Sequence, residues 1–197
     1  MKKYKLTNET IVHLGFTLYR IEALMDFSDV KAGDKGGFVQ SENNLSQLCN
    51  AWAYGNAKVY DNAKVYDNAK VYDNSEVYDN AKVYDNAKVY DNSEVYGDAE
   101  VYGNAFVFGD AKVGGNAEVR GDAKVYKNSD YIVFKNWWSS GRYFTWTHSN
   151  NMWKVGCFYG KGEELIKKAY ADSEESGREY ERVVRYVESI LADELNK

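Results

Sequence analysis

Histidine, cysteine and paired carboxylates are the residues that most often carry chemistry, and this chain of 197 residues has few of them. Its two histidines are His13 and His148, and its two cysteines are Cys49 and Cys157. His148 lies in a predicted polar turn. Cys157 alternates with Val155, and we expect it to be buried in a core strand, where a thiol is inert. The cysteines lie in different regions, so neither a disulfide scaffold nor a thiolate metal site is expected.

Two further patterns could bind a ligand, and each lacks what the chemistry needs. The glycine-rich stretch Gly33–Gly37 does not have the spacing of a phosphate loop. Stacked Asp61 and Asp79 would offer one carboxylate per turn of a repeat, which is short of the roughly six to eight oxygens that calcium takes. We therefore predict no catalytic residue, no metal site and no cofactor, and we favour a protein that is not an enzyme.

The strongest pattern in the chain is a repeat. Residues 61–78 read DNAKVYDNAKVYDNSEVY, and residues 79–96 repeat those eighteen letters without change. A valine recurs every six residues from Val59 to Val125, and Ala or Ser stands two positions before each of them. Side chains alternate between the two sides of a strand, so Ala and Val face one way while Lys and Tyr face the other.

The corner residues and the two periods, of six and of eighteen residues, together predict a mainly β architecture. Asp-Asn, Gly-Asn and Gly-Asp pairs separate the strands, and these residues accept the left-handed backbone conformation of a corner. A corner every six residues and a repeat every eighteen give three sides per turn, which is a triangular parallel β-helix with Ala and Val inside. The inward small-residue position runs from Val39 through Leu45 and Ala51 to Ser129, or about five turns. A disordered polyampholyte tract, the alternative, would lack this periodicity and these aromatic residues.

The segments on either side of the repeat have a different character. Residues 1–38 contain two β-like stretches, Thr10–His13 and Phe16–Ile21, which we interpret as an N-terminal β cap over the open end of the solenoid. Residues 39–129 are the hexapeptide-repeat β-helix. Residues 130–197 form a small C-terminal β3α2 domain that caps the solenoid, carries a binding surface or mediates assembly. Its predicted strands and helices are Tyr131–Phe134, Arg142–His148, Met152–Tyr159, Glu163–Ala171 and Glu179–Leu195.

The composition is that of a globular chain, with 44% apolar residues, 28% charged residues and a net charge of −5. No run approaches the roughly 18 apolar residues of a membrane helix, and the first ten residues lack the apolar core of a signal peptide. We therefore expect a cytoplasmic protein with no membrane contact.

Several motifs resemble known proteins. The Val-X-X-Asn-Ala-X units resemble the hexapeptide repeat of left-handed β-helix proteins, and that resemblance implies the left-handed coil. Other motifs resemble a family of hexapeptide-repeat proteins often carried by phages and prophages. These motifs are Tyr4–Thr7, Thr17–Ile21, Asp34–Gly37, Asn44–Ser46 and Gly156–Gly160. No reaction is established for that family, so the resemblance implies a phage or prophage setting, in the cytoplasm of a bacterial host, and no mechanism.

The best-known hexapeptide-repeat proteins are acyltransferases, which form the main enzymatic alternative. Those enzymes are trimers with a catalytic histidine and a loop protruding between turns, and the acyl donor lies between neighbouring subunits. Here His13 and His148 lie outside the repeat, and no six-residue unit from Ala51 to Asn128 is interrupted. A hexapeptide-type acyltransferase or a small-ligand-binding oligomer stays as the alternative function, because fold does not determine function.

The outer surface has three faces, because an eighteen-residue period stacks equivalent positions in columns. Two faces mix Lys with Glu: one carries Lys58 and Glu76, the other Lys82 and Glu100. The third, here called the aromatic-basic face, has no acidic residue at its ten positions. These are Trp52, Lys70, Lys88, Phe106 and Lys124 in one column, beside Tyr54, Tyr72, Tyr90, Phe108 and Tyr126 in the other. Exposed apolar patches bordered by charge mark interaction sites, so these ten are the predicted binding residues.

Several partners fit such a face. Nucleic acid would stack on the rings, but residues 51–128 hold nine Lys and Arg against thirteen Asp and Glu, which makes nucleic acid an unfavourable partner. A second copy of the chain would form a homo-oligomer that buries Trp52 and Phe106. The cap or the C-terminal domain could instead fold over the face. A purely structural role for the stacked tyrosines is a further alternative, because cross-strand aromatic pairs stabilise sheets.

We predict a non-enzymatic, phage-type binding protein that acts by macromolecular contact and oligomerisation, with a host protein as its partner. Inhibition of a bacterial defence system is one form of this hypothesis. Nucleic-acid binding and mimicry of DNA by the stacked Asp corners are weaker alternatives, since the interspersed lysines dilute the negative charge.

Overall fold

The computed structural model describes residues 2–195 and begins with three strands, β1 (Tyr4–His13), β2 (Phe16–Ala23) and β3 (Lys35–Val39). β1 and β2 form an antiparallel hairpin, and the two residues between them, Leu14 and Gly15, have the positive φ angles of a tight turn, 48° and 86°. β2 pairs antiparallel with β3, and β3 pairs in parallel with the strand that contains Val59. The hairpin therefore extends one sheet of the repeat.

The repeat folds into a parallel β-solenoid of about five turns, as predicted. Within residues 52–125 each strand has two residues, and the second of them, Val or the single Ala53, is at most 1% exposed. The strands are β4 (Trp52–Ala53), β5 (Lys58–Val59), β6 (Lys64–Val65), β7 (Lys70–Val71), β8 (Glu76–Val77), β9 (Lys82–Val83), β10 (Lys88–Val89), β11 (Glu94–Val95), β12 (Glu100–Val101), β13 (Phe106–Val107), β14 (Lys112–Val113), β15 (Glu118–Val119) and β16 (Lys124–Val125). Small inward side chains fill the narrow interior because larger ones would not fit at interior packing density.

One residue with a positive φ angle makes each corner, at intervals of six residues from Gly55 to Gly121. The angle is 56–61° at the Asp corners and 58–73° at the Gly corners. Asp adopts this conformation more readily than most residues, and here its carboxylate also helps the next turn: Asp79 Oδ2 accepts a hydrogen bond of 3.0 Å from the Gly97 N–H. Neighbouring Asn side chains form ladders, as where Asn50 Nδ2 donates to Asn68 Oδ1 at 2.9 Å.

Strand pairing follows the eighteen-residue period, so the predicted side-chain columns are confirmed: Lys70 pairs with Lys88, and Lys88 with Phe106. The start of the repeat differs from the prediction. Val39 pairs with Val59 and Leu45 with Val65, twenty residues apart.

Two extra residues lie between Leu45 and Ala51, so the single phase predicted from Val39 onward is wrong. Val39 and Leu45 occupy the Val position of the repeat. At the other end the inward row stops at Val125, because Ser129 is exposed in a 3-10 turn, Asn128–Asp130.

After the solenoid the chain forms an antiparallel sheet and two helices. These are β17 (Tyr131–Lys135), β18 (Tyr143–Thr147), β19 (Met152–Val155), β20 (Phe158–Gly160), α1 (Gly162–Asp172) and α2 (Glu174–Leu195). The two predicted helices are confirmed, and α2 begins five residues before the predicted Glu179. The predicted third strand is two strands, because Gly156, with a φ of 52°, turns the chain. Cys157 lies in that turn and is exposed, which corrects the expectation of a buried thiol.

Apolar side chains of the sheet and the helices form a core separate from that of the solenoid, and Phe144, Trp146, Trp153 and Leu165 lie at its centre. Among residues 2–195, neither helix combines the length and the apolar character needed to cross a membrane.

The C-terminal sheet covers the last turn and satisfies its backbone. In earlier turns the N–H groups of the Lys and Tyr positions donate to the following turn, as Lys58 does to Ser75. The last turn has no successor, and side chains replace it. Thr145 Oγ1 accepts from the Glu118 N–H at 2.9 Å, Ser149 Oγ from Lys124 at 2.7 Å, and Asp130 Oδ2 from Tyr126 at 2.8 Å. Buried backbone donors require such partners, so this sheet closes the solenoid.

The first turn has the opposite need, because its inward-position carbonyl groups have no preceding turn. Tyr4 and Lys3 supply donors there. The Tyr4 hydroxyl donates to the Leu45 carbonyl oxygen at 2.7 Å, and Lys3 Nζ donates to the Ala51 carbonyl oxygen at 2.7 Å. Tyr4 is fully buried and Lys3 is 3% exposed, so burial lowers the pKa of the Lys3 amine to about 8.

Candidate functional site

The aromatic-basic face is a flat two-column surface, as its sequence positions predict. Its aromatic column contains two stacked pairs: the Tyr54 and Tyr72 ring centroids are 4.4 Å apart, and those of Tyr90 and Phe108 are 5.1 Å apart. Such spacing follows directly from parallel strands about 4.8 Å apart. The ten residues predicted from the sequence therefore lie together, but they do not share one environment.

The N-terminal segment covers the first turn of this face. Trp52 is 1% exposed and packs edge-on against Phe27, at 5.3 Å between centroids, and against Tyr4, at 6.0 Å. This corrects the prediction that Trp52 belongs to an open binding surface. A large apolar side chain at the open end of a solenoid gains more by burial under the preceding segment than by contact with water.

Asp29 places a carboxylate on the same face. It accepts a hydrogen bond of 2.8 Å from the Tyr54 hydroxyl and a charge-assisted one from Lys70 Nζ. The hydrogen bond from Lys70, with a further one from Tyr54, holds the pKa of the Asp29 carboxyl well below its usual range. Burial, together with the bond to Asp29, raises the pKa of Tyr54. The face has no acidic residue of its own, but in the folded chain its first repeat already binds one.

The other side chains of the face are half-buried or exposed. We call them the open part of the face: Tyr72, Lys88, Tyr90, Phe106, Phe108, Lys124 and Tyr126. Lys88 Nζ lies 5.5 Å from the centroid of the Phe106 ring, and neither Lys88 nor Lys124 has an ion pair within residues 2–195. Tyr126 is 57% exposed. Aromatic rings and ammonium groups without a carboxylate partner thus lie side by side on this surface.

On the other two faces most lysines pair with a carboxylate of the chain, and Lys64 is an exception within the described part of the chain. On them a Tyr hydroxyl donates to a Glu sixteen residues later, as Tyr84 does to Glu100 at 3.0 Å and Tyr60 to Glu76 at 2.9 Å. A Lys of the neighbouring turn pairs with the same carboxylate, as Lys82 does with Glu100 at 2.8 Å. The aromatic-basic face has Lys or Phe where these faces have Glu. Lys88 and Lys124 of this face therefore have no carboxylate partner among residues 2–195, whereas Lys70 is paired with Asp29.

Folding also brings His13 to the wall of the solenoid, although it lies outside the repeat in the sequence. Its Nε2 is 2.9 Å from Glu76 Oε2, which also accepts from Tyr60. Burial opposes ionisation of Glu76, but hydrogen bonds from Lys58, Tyr60 and His13 outweigh it and hold the pKa of this carboxyl below its usual value. An imidazole beside a carboxylate is a pair that can move a proton. Here the carboxylate is shared by three donors, and the pair fastens the hairpin to the solenoid.

Sequence reasoning missed both Asp29 and the approach of His13 to Glu76. The two segments lie outside the repeat, so no periodic relation connects them to their partners. His148 lies in the predicted turn and is exposed. A search of residues 2–195 for three or more clustered His, Cys, Asp or Glu side chains that could hold a metal ion finds none.

The fold and this face define a class, a parallel β-solenoid with one aromatic-basic side. Comparison with protein-family models gives no match for the chain, and comparison with curated proteins gives none either. The assignment to this class therefore rests on the structure of the repeat.

Proposed function

We propose that the protein is a non-enzymatic binding protein that engages another protein through the open part of the aromatic-basic face. The observation that carries this proposal is the contrast between faces. Lys58 and Lys82 have carboxylate partners within the chain, whereas Lys88 and Lys124 have none in the described residues. Exposed rings beside unpaired cations are features of interaction surfaces.

Charge favours a protein partner with an acidic surface over nucleic acid. The corners on both sides of the open part carry Asp67, Asp73, Asp85 and Asp91, and the whole chain has a net charge of −5. A polyanion would meet these carboxylates along its length, whereas an acidic side chain of a folded partner would contact one lysine locally. The resemblance to phage-borne proteins supports a host protein in the bacterial cytoplasm as the partner, with inhibition of a defence system as one form of the activity.

Self-association is a second part of the proposal. Trp52 is already covered, so a dimer would not bury it as predicted. Two copies joined face to face through the open part would set Lys88 and Lys124 against the same lysines, with like-charge repulsion. We therefore place any homo-oligomer contact on another surface and leave the open part to the partner.

The test is capture from a lysate of the bacterial host with three purified, tagged proteins. The first is the natural chain, and the second carries Lys88→Glu, Lys124→Glu and Phe106→Ser. The third, a control, carries Lys64→Glu and Lys127→Glu, which change exposed lysines outside the face. We expect one protein to be captured in stoichiometric amount by the first and third samples only, and to rebind when purified. Equal capture by all three would contradict the proposal.

Acyl transfer is the second candidate, because the structure places the His13–Glu76 pair at the solenoid wall. The test mixes the protein with an acyl-CoA donor and an amine or hydroxyl acceptor, which takes up the acyl group as the CoA thiol is released. Thiol release that is lost in His13→Gln would support acyl transfer. No release above the buffer rate would remove this candidate and leave the binding proposal in place.

A further inference from the structure

A Tyr followed sixteen residues later by a Lys recurs four times within residues 51–128: Tyr54–Lys70, Tyr66–Lys82, Tyr72–Lys88 and Tyr96–Lys112. In a parallel solenoid this spacing places the lysine in the turn after the tyrosine, and Lys70 Nζ lies 5.3 Å from the centroid of the Tyr54 ring. In three of the four cases a carboxylate of the chain pairs with the lysine. Asp29 pairs with Lys70, Glu100 with Lys82 at 2.8 Å, and Glu94 with Lys112 at 2.8 Å.

Tyr72–Lys88 is the exception, since within residues 2–195 no carboxylate lies within ion-pair distance of Lys88. Its position makes this notable. The solenoid has three half-buried lysines, Lys58, Lys70 and Lys88, and the first two are paired with Glu76 and Asp29. Lys88 Nζ faces the Phe106 ring at 5.5 Å, but a half-buried ammonium without a counter-ion has lost part of its hydration and has no ion pair to offset that loss. The anionic group of a ligand would supply the missing counter-ion.

The occupied pair one turn earlier shows which ligand fits. Tyr72 stacks on Tyr54 at 4.4 Å with an interplanar angle of 12°, and Lys88 pairs with Lys70 in strand register. Tyr72 and Lys88 thus occupy the strand positions of Tyr54 and Lys70 one turn along the solenoid. Lys70 Nζ donates to the Tyr54 hydroxyl at 2.8 Å, whereas Lys88 Nζ lies over the Phe106 ring, 5.5 Å from its centroid. The carboxylate of Asp29 lies between the Tyr54 hydroxyl and the Lys70 ammonium. Tyr72 and Lys88 carry the same two functional groups, a hydroxyl and an ammonium.

We propose that Tyr72 and Lys88 form a binding site for an Asp or Glu side chain of a partner protein, equivalent to the Asp29 site inside the chain. This inference rests on the proposed function and names the chemistry of its contact. The surroundings add a second requirement. In the Asp29 site the apolar contact of Phe27 is with Trp52, one turn before Lys70, whereas Phe106 and Phe108 lie one turn after Lys88. The apolar neighbour of the proposed site is therefore on the opposite side of the lysine. The partner segment therefore carries an apolar or aromatic side chain about one turn, roughly 5 Å, from its carboxylate.

A carboxylate is favoured over a nucleic-acid phosphate for a local reason. The corner residues Asp73 and Asp91 flank the site in the same two turns. They would repel a continuous polyanion, whereas one carboxylate held at Lys88 leaves them in solvent. Charge-assisted hydrogen bonds from Lys and Tyr to one carboxylate are short and directional, so the site selects position as well as charge.

The probe is the chain's own docked segment, residues 27–30, as the blocked peptide acetyl-Phe-Ser-Asp-Val-amide. Binding is followed by backbone amide shifts of the isotope-labelled full chain. We expect saturable shifts around Tyr72, Lys88 and Phe106 with a Kd of about 1–10 mM. Lys88→Met and Tyr72→Phe each weaken binding about fivefold or more, as loss of a charge-assisted bond predicts. Phe106 stands at the position equivalent to Lys88 one turn later, so an apolar residue is compatible with the fold there.

The matched controls are Lys82→Met and Tyr66→Phe, which alter the same motif where Glu100 already pairs with the lysine. They should leave peptide affinity unchanged. A peptide with Asn in place of Asp should give no saturable shifts. Equal binding of the Asn peptide, equal binding by Lys88→Met, or absence of shifts at about 10 mM would overturn the site.

Two other occupants are outcomes of the same series. Tighter binding of a single-stranded oligonucleotide than of the peptide, lost in Lys88→Met, would replace the carboxylate with a phosphate ligand and overturn the inference. A dimer of the natural chain in light scattering that is lost in Lys88→Met would show that a second copy occupies the site. That result would overturn the proposal that the carboxylate comes from a different protein.

Failure of the site and failure of the proposed function are distinguishable. A partner captured from the lysate with no peptide binding removes the carboxylate site alone. Peptide binding with no captured partner supports the site and contradicts the proposed function.

Discussion

The Asp29 carboxylate accepts a hydrogen bond of 2.8 Å from the Tyr54 hydroxyl, although 25 residues separate the two in the chain. Lys70, in the next turn, completes the contact as an ion pair. This relationship shows that the aromatic-basic face binds a carboxylate within the protein itself. It also fastens the segment that covers Trp52, so one contact serves both the closure of the first turn and the chemistry proposed for the next.

Removal of the Asp29 charge should weaken the docking of the N-terminal segment in a pH-dependent way. The pKa of Asp29 lies well below its usual 3.8, so the unfolded chain takes up this proton first as pH falls. The stabilisation is therefore complete above about pH 5 and is lost as pH falls below the usual value. The Asp29 side chain is 58% exposed, so we expect its charge to contribute no more than about 1 kcal/mol to the free energy of unfolding.

Urea unfolding at pH 7 and pH 3 measures this contribution. Asp29→Asn should lose less stability between the two pH values than the natural chain. Asp172→Asn, on an exposed position of α1, is the charge-matched control and should behave like the natural chain. An Asp29→Asn variant with the full pH dependence would contradict the expectation.

Lys3 should make the protein more stable as the solution becomes alkaline. Burial lowers the pKa of its amine from 10.5 to about 8, so between these values the unfolded chain binds more protons than the folded one. Stability rises with pH wherever the unfolded state binds more protons. From pH 7.5 to 9.5 the gain, relative to Lys3→Met, should be on the order of 1 kcal/mol in unfolding free energy. Lys2→Met, at an exposed lysine, should keep the same gain relative to Lys3→Met. Identical pH profiles for the natural chain and Lys3→Met would contradict the prediction.

Asp79 should tolerate glycine better than alanine. Its φ angle is 58°, and Gly97 has the same corner position one turn later with a φ of 67°. Alanine would keep the strained backbone and remove the hydrogen bond from the Gly97 N–H, at a cost of about 1–3 kcal/mol in unfolding free energy. Glycine removes the same hydrogen bond without strain, so its cost should be clearly smaller. Chemical denaturation of both variants measures their unfolding free energies, and equal losses of stability would show that the corner is not strained.

Thr145 should be important because it replaces a missing turn. Its Oγ1 accepts the Glu118 N–H at 2.9 Å and is buried with it. Thr145→Val keeps the shape but leaves that donor without a partner, which should cost about 1–3 kcal/mol. Hydrogen exchange should accelerate at the Glu118 amide first. Thr17→Val, at an exposed strand position, should change neither stability nor exchange, and an unaltered Glu118 amide in Thr145→Val would refute the capping role.

The repeating pattern of the sequence was enough to predict the solenoid and the columns of side chains on its faces. The pairing of Lys70 with Lys88, and of Lys88 with Phe106, follows from the period alone, because identical units stack by the same translation in every turn. The prediction failed where the period is broken. The extra residues between Leu45 and Ala51 shift the phase of the first turn, and the turn at Gly156 divides a strand and exposes Cys157.

The sequence by itself determined the parallel solenoid, the Ala and Val interior, the corners and the membership of the aromatic-basic face. All of these depend on periodicity, which each residue shares with its neighbours one turn away. Only the tertiary structure decided that the N-terminal segment covers Trp52 and that Asp29 binds the Tyr54 hydroxyl and the Lys70 ammonium. It also decided that Tyr72 and Lys88 have no carboxylate partner among residues 2–195. Those contacts join a non-repeating segment to the repeat, and their geometry is set by how two separately shaped surfaces pack together.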